Sequence, residues 1–201
     1  MRKRKFSDMR LDEVMPLIGV VDFIKWELQA NSRPPSEHLL ESLRRMDSFD
    51  RVRTEAAKLL LVDAMLAETV PAYAQLKVWK GEALSSSTLS GFADYLITPR
   101  SAYVRAPLLC AAEAKKDDFD KGRAQCLAEM IACREKNAAD HYDIDLFGIV
   151  SNGQTWIFYK LTTTNEIYET TEYSVENLPR LLGALDAICA ECAKRVPLTG
   201  P

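Results

Sequence analysis

No stretch of the 201-residue chain approaches the roughly 20 consecutive apolar residues that a membrane-spanning helix requires; Met15 to Val21 is closed by Asp22. The basic opening, Arg2-Lys3-Arg4-Lys5, lacks the long apolar stretch and cleavage site of an export signal, so a cytoplasmic location is expected and secretion and membrane partners are not. Positive charge is not in surplus either. With 26 Lys and Arg against 29 Asp and Glu, the net charge of −3 and pI near 5.5 argue against coating nucleic acid by bulk attraction. Any contact with DNA must therefore be local, through the opening arm or through Arg100, Arg105, Lys115, Lys116, Lys121 and Arg123. Internal repeats, low-complexity tracts and a convincing linker are absent, as is the elbow or oriented histidine of a nucleophilic Cys or Ser mechanism. The five cysteines are an odd number, and reduced thiols are expected. Cys110, Cys126 and Cys133 sit in apolar settings and read as small hydrophobes. Cys189-Ala190-Glu191-Cys192 has a metal or redox spacing but lies late in an apparent helix without a second pair, which favours packing.

What remains is an ordinary globular composition, 47% hydrophobic and 27% charged. A chain of this length can bury roughly 70% of its unfolded surface without staples. Apolar residues at helical intervals predict a helix over Leu11 to Gln29, followed by the break Asn31-Ser32-Arg33-Pro34-Pro35-Ser36. Ser36 can cap a short helix from Glu37 to Met46, and a longer one runs from about Phe49 to Glu68, closed by Pro71. Gln75 to Ala83 alternates as a strand, with Val78 and Trp79 on opposite faces. A helix beginning at Asp118 or Asp120 reaches about Lys136. Ile144 to Val150 and Thr155 to Leu161 flank Ser151-Asn152-Gly153 as a hairpin with a type I′ turn. A further strand spans Glu166 to Tyr173, and Leu178 to Lys194 forms an amphipathic helix. The expected organisation is an N-terminal helical extension over residues 1–48, packed on a core domain over 49–201.

The most informative residues are Asp94, Glu113-Ala114-Lys115 and Gln125. Tyr95-Leu96-Ile97-Thr98 and Leu108 to Ala112 read as neighbouring strands, which would bring Asp94 beside Glu113. Strand alternation turns Glu113 and Lys115 to one face, about 6.6 Å apart along the backbone. Magnesium is a hard octahedral cation that takes one or two carboxylates, with water and phosphate oxygens filling the other positions. An ammonium beside such a metal can orient a water or stabilise charge on a phosphate. Glu-X-Lys alone is weak, since chance supplies one per roughly 280 residues and a surface ion pair explains it. Its place at the end of an apolar strand, after Asp94 and before Gln125, is what gives it meaning.

The ordered set Gly91-Phe92-Ala93-Asp94-Tyr95, Glu113-Ala114-Lys115 and Gln125 resembles the PD-(D/E)XK nuclease superfamily, especially the N-terminal nuclease domain of type I restriction motor subunits. The likeness covers roughly Phe49 to Leu161. It implies an α/β fold with a restriction endonuclease-like core, a central mixed β-sheet flanked by helices, together with Mg2+ or Mn2+ and hydrolysis of DNA. By position, it implies Asp94 and Glu113 as metal ligands, a carbonyl from Ala114, a catalytic Lys115, and Gln125 in contact with the lysine or DNA. Glu55, on the helix before the first strand, is a further acidic candidate, with a solvated helix face as its bland explanation. The family's proline before the aspartate is Ala93 here, a position that does no chemistry.

Two rivals stand beside that reading. Gln125 also fits a boundary position on its helix, and His141, Asp143 and Asp145 form another polar cluster suited to a transition metal, though without a nearby lysine. The functional expectation is a metal-dependent nuclease; the alternative is a catalytically weak nuclease-fold module for DNA binding or protein assembly. Partners expected are DNA and a second copy or another subunit.

Overall fold

A computed structural model of the chain describes residues 3–49, 55–114 and 119–197, with the side chains of Glu55 and Ala56 outside that description. Five α-helices are described: α1 Leu11–Ile18, α2 Glu37–Met46, α3 Glu55–Thr69, α4 Phe119–Ala139 and α5 Leu178–Lys194. The strands are β1 Arg4–Lys5, β2 Ile24–Trp26, β3 Leu76–Ser85, β4 Leu89–Pro99, β5 Cys110–Ala114, β6 Leu146–Ser151, β7 Thr155–Leu161, β8 Ile167–Thr170 and β9 Tyr173–Ser174. They join in one mixed sheet in the order β1-β4-β5-β6-β7-β8-β2, with β3 on β4 and β9 on β7. The fold is α/β, a central mixed sheet flanked by helices.

Alternation along the strands divides the core in two. Leu96, Ala111, Val150 and Tyr159 face α1 and α4, whereas Tyr95, Ile97, Ala112, Phe147 and Phe158 face α2, α3 and α5. Helix α4 is buried on every side from Ala124 to Cys133, as a helix enclosed between a sheet and another layer must be. Its close approach to the sheet depends on Gly148 of β6, where a Cβ would stand 2.6 Å from Met130 Sδ and 2.8 Å from Cys126 Sγ. Helix α4 also lies in sequence between β5 and its parallel neighbour β6, so the strand carrying Glu113 is followed by the helix that covers it.

Local signals account for most element ends. Ser36 Oγ accepts the Leu39 N–H at 3.1 Å and caps α2, while Asn177 Oδ1 accepts the Arg180 N–H at the start of α5. Gly19, at φ +81°, ends α1 at Ile18 and overturns the longer helix expected through Gln29. The apolar spacing beyond it belongs instead to β2, whose Ile24–Trp26 pair with Tyr168–Thr170 of β8. The N-terminal segment thus joins the main sheet through β1 and β2 as well as packing helices against it. The expected type I′ turn is also corrected. It needs positive φ at two residues, but Gly153 alone has it there, and Asn152 Oδ1 builds the turn by accepting the N–H groups of Gln154 and Thr155. The strand expected over Glu166 to Tyr173 is divided into β8 and β9, both paired to β7.

Candidate metal centre

Strand parity assembles the carboxylates. Asp94 and Leu96 project from β4 to the α4 side, as do Ala111 and Glu113 from β5, and the register Tyr95↔Ala112 and Leu96↔Ala111 runs Asp94 opposite Glu113. One edge of β4 is taken by β3, so the other is shared by β1, at Leu89 and Ser90, and β5, from Tyr95 onward. Asp94 stands in the interval between them. Its Oδ2 accepts the Ala114 N–H at 2.9 Å, extending in side-chain form the hydrogen bonding between β4 and β5.

Helix α4 supplies the lid of the site. Gln125 and Glu129, four residues apart, lie on one helix face, and Gln125 Nε2 donates to Glu129 Oε1 at 3.2 Å. Glu129 is 0% exposed, Glu113 2% and Gln125 7%. The Glu129 carboxyl lies within hydrogen-bonding reach of the Glu113 carboxyl. Burial pushes the Glu129 pKa well above the carboxylate range, the Glu113 charge and hydrogen bond push it further, and Asp94 adds to them against the opposing Gln125 amide. Burial likewise raises the neighbouring Cys126 thiol, with the Glu129 and Glu113 charges adding to it.

Glu129 Oε2 and Gln125 Oε1 are buried acceptors that no hydrogen-bond donor reaches. Buried acceptors of this kind are costly. Buried acceptor oxygens left without a donor beside two carboxylates fit a nearby cation better than they fit a closed core. Asp94 and Glu113 match the one or two carboxylates that magnesium takes, and among the described residues no group of three or more His, Cys, Asp or Glu is arranged to hold a metal.

The structure brings Asp94, Glu113 and Gln125 to one place. Lys115 and Lys116 lie outside the described residues, and so does the side chain of Glu55, whose backbone opens α3. Ala114 meets Asp94 through its N–H. Gln125 donates to Glu129, a residue sequence reasoning missed, while the lysine it was expected to contact lies outside the described residues. The signal was present: Gln125-x-x-x-Glu129 places one acid inside the apolar run from Cys126 to Cys133.

Other candidates are elsewhere engaged. Arg123 pairs with Glu169 at 2.6 Å and donates to the Tyr159 hydroxyl, and Arg100 Nε donates to Ala74 O at 2.7 Å, so neither flanks the site as a free cation. Lys3 Nζ donates to Ser85 Oγ and Arg4 pairs with Glu13. The His141, Asp143 and Asp145 alternative does not assemble: His141 lies in a left-handed turn at φ +65°, while Asp145 accepts the Thr163 N–H and pairs with Arg195. Cys189 and Cys192 are buried in α5, and burial pushes both thiols up, Cys189 to about 12.

A groove of about 630 Å3 is lined by Lys5, Ser7, Ser85, Gly91 and Phe92, and shares Gln125 with the centre. Gly91 is needed there because a Cβ would stand 2.6 Å from the buried Phe6 ring. Phe92 is 69% exposed. No family model and no curated protein matches the chain.

Proposed function

We propose that the chain is a divalent-metal-dependent DNA nuclease with a restriction endonuclease-like core. The observation that carries this reading is the meeting of Asp94 and Glu113 on the α4 face, beside buried acceptors that no donor reaches. The mixed sheet and the β5–α4–β6 connection support it by placing the carboxylates where one helix can cover them.

Asp94 and Glu113 would hold Mg2+ or Mn2+, which when bound neutralises charge on phosphate oxygens and acidifies a coordinated water. The chain's own part is positioning. Asp94 is fixed by the Ala114 N–H, so its carboxylate enters the reaction already oriented. Lys115, the next residue after Ala114, is assigned the ammonium that orients the attacking water and steadies the phosphate as one P–O bond forms and the ester P–O bond breaks. Lys5 and Phe92 offer the groove a cation for the backbone and a ring for a base. The proposed setting is the cytoplasm, with DNA as substrate and a second copy or another subunit as partner.

The depth of Glu113 and Glu129 favours a second reading, a nuclease-fold module that binds DNA or other proteins with little turnover. The two are separated by incubating the purified chain with plasmid and linear DNA in Mg2+ or Mn2+. A nuclease cuts, loses activity on chelation, and loses at least about a hundredfold in Asp94→Asn and Lys115→Ala. DNA binding without metal-dependent cleavage would establish the module instead, and cleavage unchanged in Lys115→Ala would remove that residue from its role.

A further inference from the structure

The groove that shares Gln125 with the metal centre lies in a chain with more acids than bases, yet no carboxylate is among the described residues that line it. Four other clefts on the surface each include one, at Asp12, Glu27, Asp47 and Asp63. In its place the groove has the Lys5 ammonium and the hydroxyls of Ser7, Ser85 and Ser90. Lys5 is exposed and pairs with no acid among the described residues, and Lys3 Nζ reaches the same wall by donating to Ser85 Oγ at 2.6 Å. Ammonium and hydroxyl donors are the groups that bind the phosphate oxygens of a nucleic-acid backbone.

The ring in that groove is held outward by its strand. Gly91 turns towards the buried Phe6 ring and Ala93 is 0% exposed, so strand alternation directs Phe92 between them away from the core. Its partner on β3 is Ala83, a small exposed residue, and no described ring or cation stacks on it. A base can lie on such a ring only if one of its own faces is free. In a duplex both faces are covered by neighbouring pairs, and freeing one means extruding the base. Resting on the nuclease reading for the identity of the ligand, we propose that this groove holds single-stranded DNA, with an unpaired base stacked on Phe92 and the backbone along Lys5 and the serine hydroxyls. The site thereby favours unpaired DNA over duplex, with little dependence on sequence, because every base has a face to stack.

The test is fluorescence titration of the full chain, in EDTA, with a short end-labelled single strand and with the blunt duplex of the same sequence. Wild type is expected to bind the single strand more tightly by about 5- to 150-fold, the range that one base-stacking platform supplies. Phe92→Ala is expected to lose that preference while duplex affinity stays within about threefold, and Phe92→Trp, which keeps a ring, to retain it. Lys5→Gln is expected to lower the salt slope of single-strand binding by about 0.7, the value for one phosphate contact. Duplex bound as tightly as single strand, or a preference that survives in Phe92→Ala, would overturn the proposal, as would binding of neither DNA. Calorimetric titration with Mn2+ keeps the two readings apart. Mn2+ binding that is lost in Asp94→Asn, without a single-strand preference, would leave the metal centre standing and remove the groove; a single-strand preference without Mn2+ binding would support the groove and overturn the nuclease.

Discussion

Glu129 is a fully buried carboxyl and is costly to keep ionised. Burial and the Glu113 charge both favour its protonated form, so its folded pKa lies above the ordinary carboxylate value of 4.5. The sign follows directly. The stabilisation is complete below the ordinary value, where folded and unfolded chains both hold the proton, and it is lost as pH rises towards the folded value. Metal-free protein is therefore expected to become less stable from pH 5 upward, by at most about 1.4 kcal/mol per pH unit for the one proton involved. Urea unfolding across pH 5 to 8 checks this, with Glu129→Gln expected to flatten the slope; a wild-type stability independent of pH would oppose it. Asp94 and Glu113 were legible as a pair because strand parity and a short crossing between apolar segments are written in the sequence. Glu129 was not, since one acid in a helix reads as a solvated position until the layer above the helix is known.

At the scale of elements, α4 is the part on which the centre depends. It is held close to the sheet by Gly148 and tied to the chain before β5 by Asn137, whose Oδ1 accepts the Leu108 N–H at 2.7 Å and whose Nδ2 donates to Leu108 O at 2.8 Å. Gly148→Ala pushes a methyl into Met130 and Cys126 and is expected to destabilise by about 1–3 kcal/mol. Asn137→Ala strands both polar groups of a buried backbone unit, a loss of about 1–3 kcal/mol for each. Denaturant midpoints check both, and unchanged midpoints would show that α4 can shift without cost. The helices α2 and α5 were readable to the residue because Ser36, Pro179 and Asn177 mark their starts and the apolar spacing marks their length. The segment after Gly19 was not. Its apolar residues keep a helical interval, and only the open edge of β8 decides that Ile24–Trp26 extend as a strand.

For the whole molecule, the strand order places the proposed DNA groove beside the carboxylates in a chain of net negative charge. The N-terminal strand β1 lies on the same edge of β4 as β5, which brings Lys5 to the groove that ends at Gln125. Two basic residues near the site in sequence have internal partners, Arg123 in Glu169 and Arg100 in the Ala74 carbonyl. Phe92→Ala is expected to weaken binding of a single-stranded oligonucleotide by about 1–3 kcal/mol in a fluorescence titration, the range for loss of one base-stacking platform, while leaving Mn2+ affinity unchanged. Unchanged oligonucleotide affinity would exclude the groove as the route to the centre. The coarse α/β class was legible from alternating strand and helix signals, whereas the joining of β1 and β2 to opposite parts of one sheet depends on pairings hundreds of ångströms of extended chain cannot announce locally.

The most direct test of the central claim is anomalous diffraction from a crystal of the full chain grown with Mn2+. A manganese peak bonded to carboxylate oxygens of both Asp94 and Glu113 is the expected result. A crystal at millimolar Mn2+ that shows no peak there, with the two carboxylates closed on each other and on the Ala114 N–H, would contradict it.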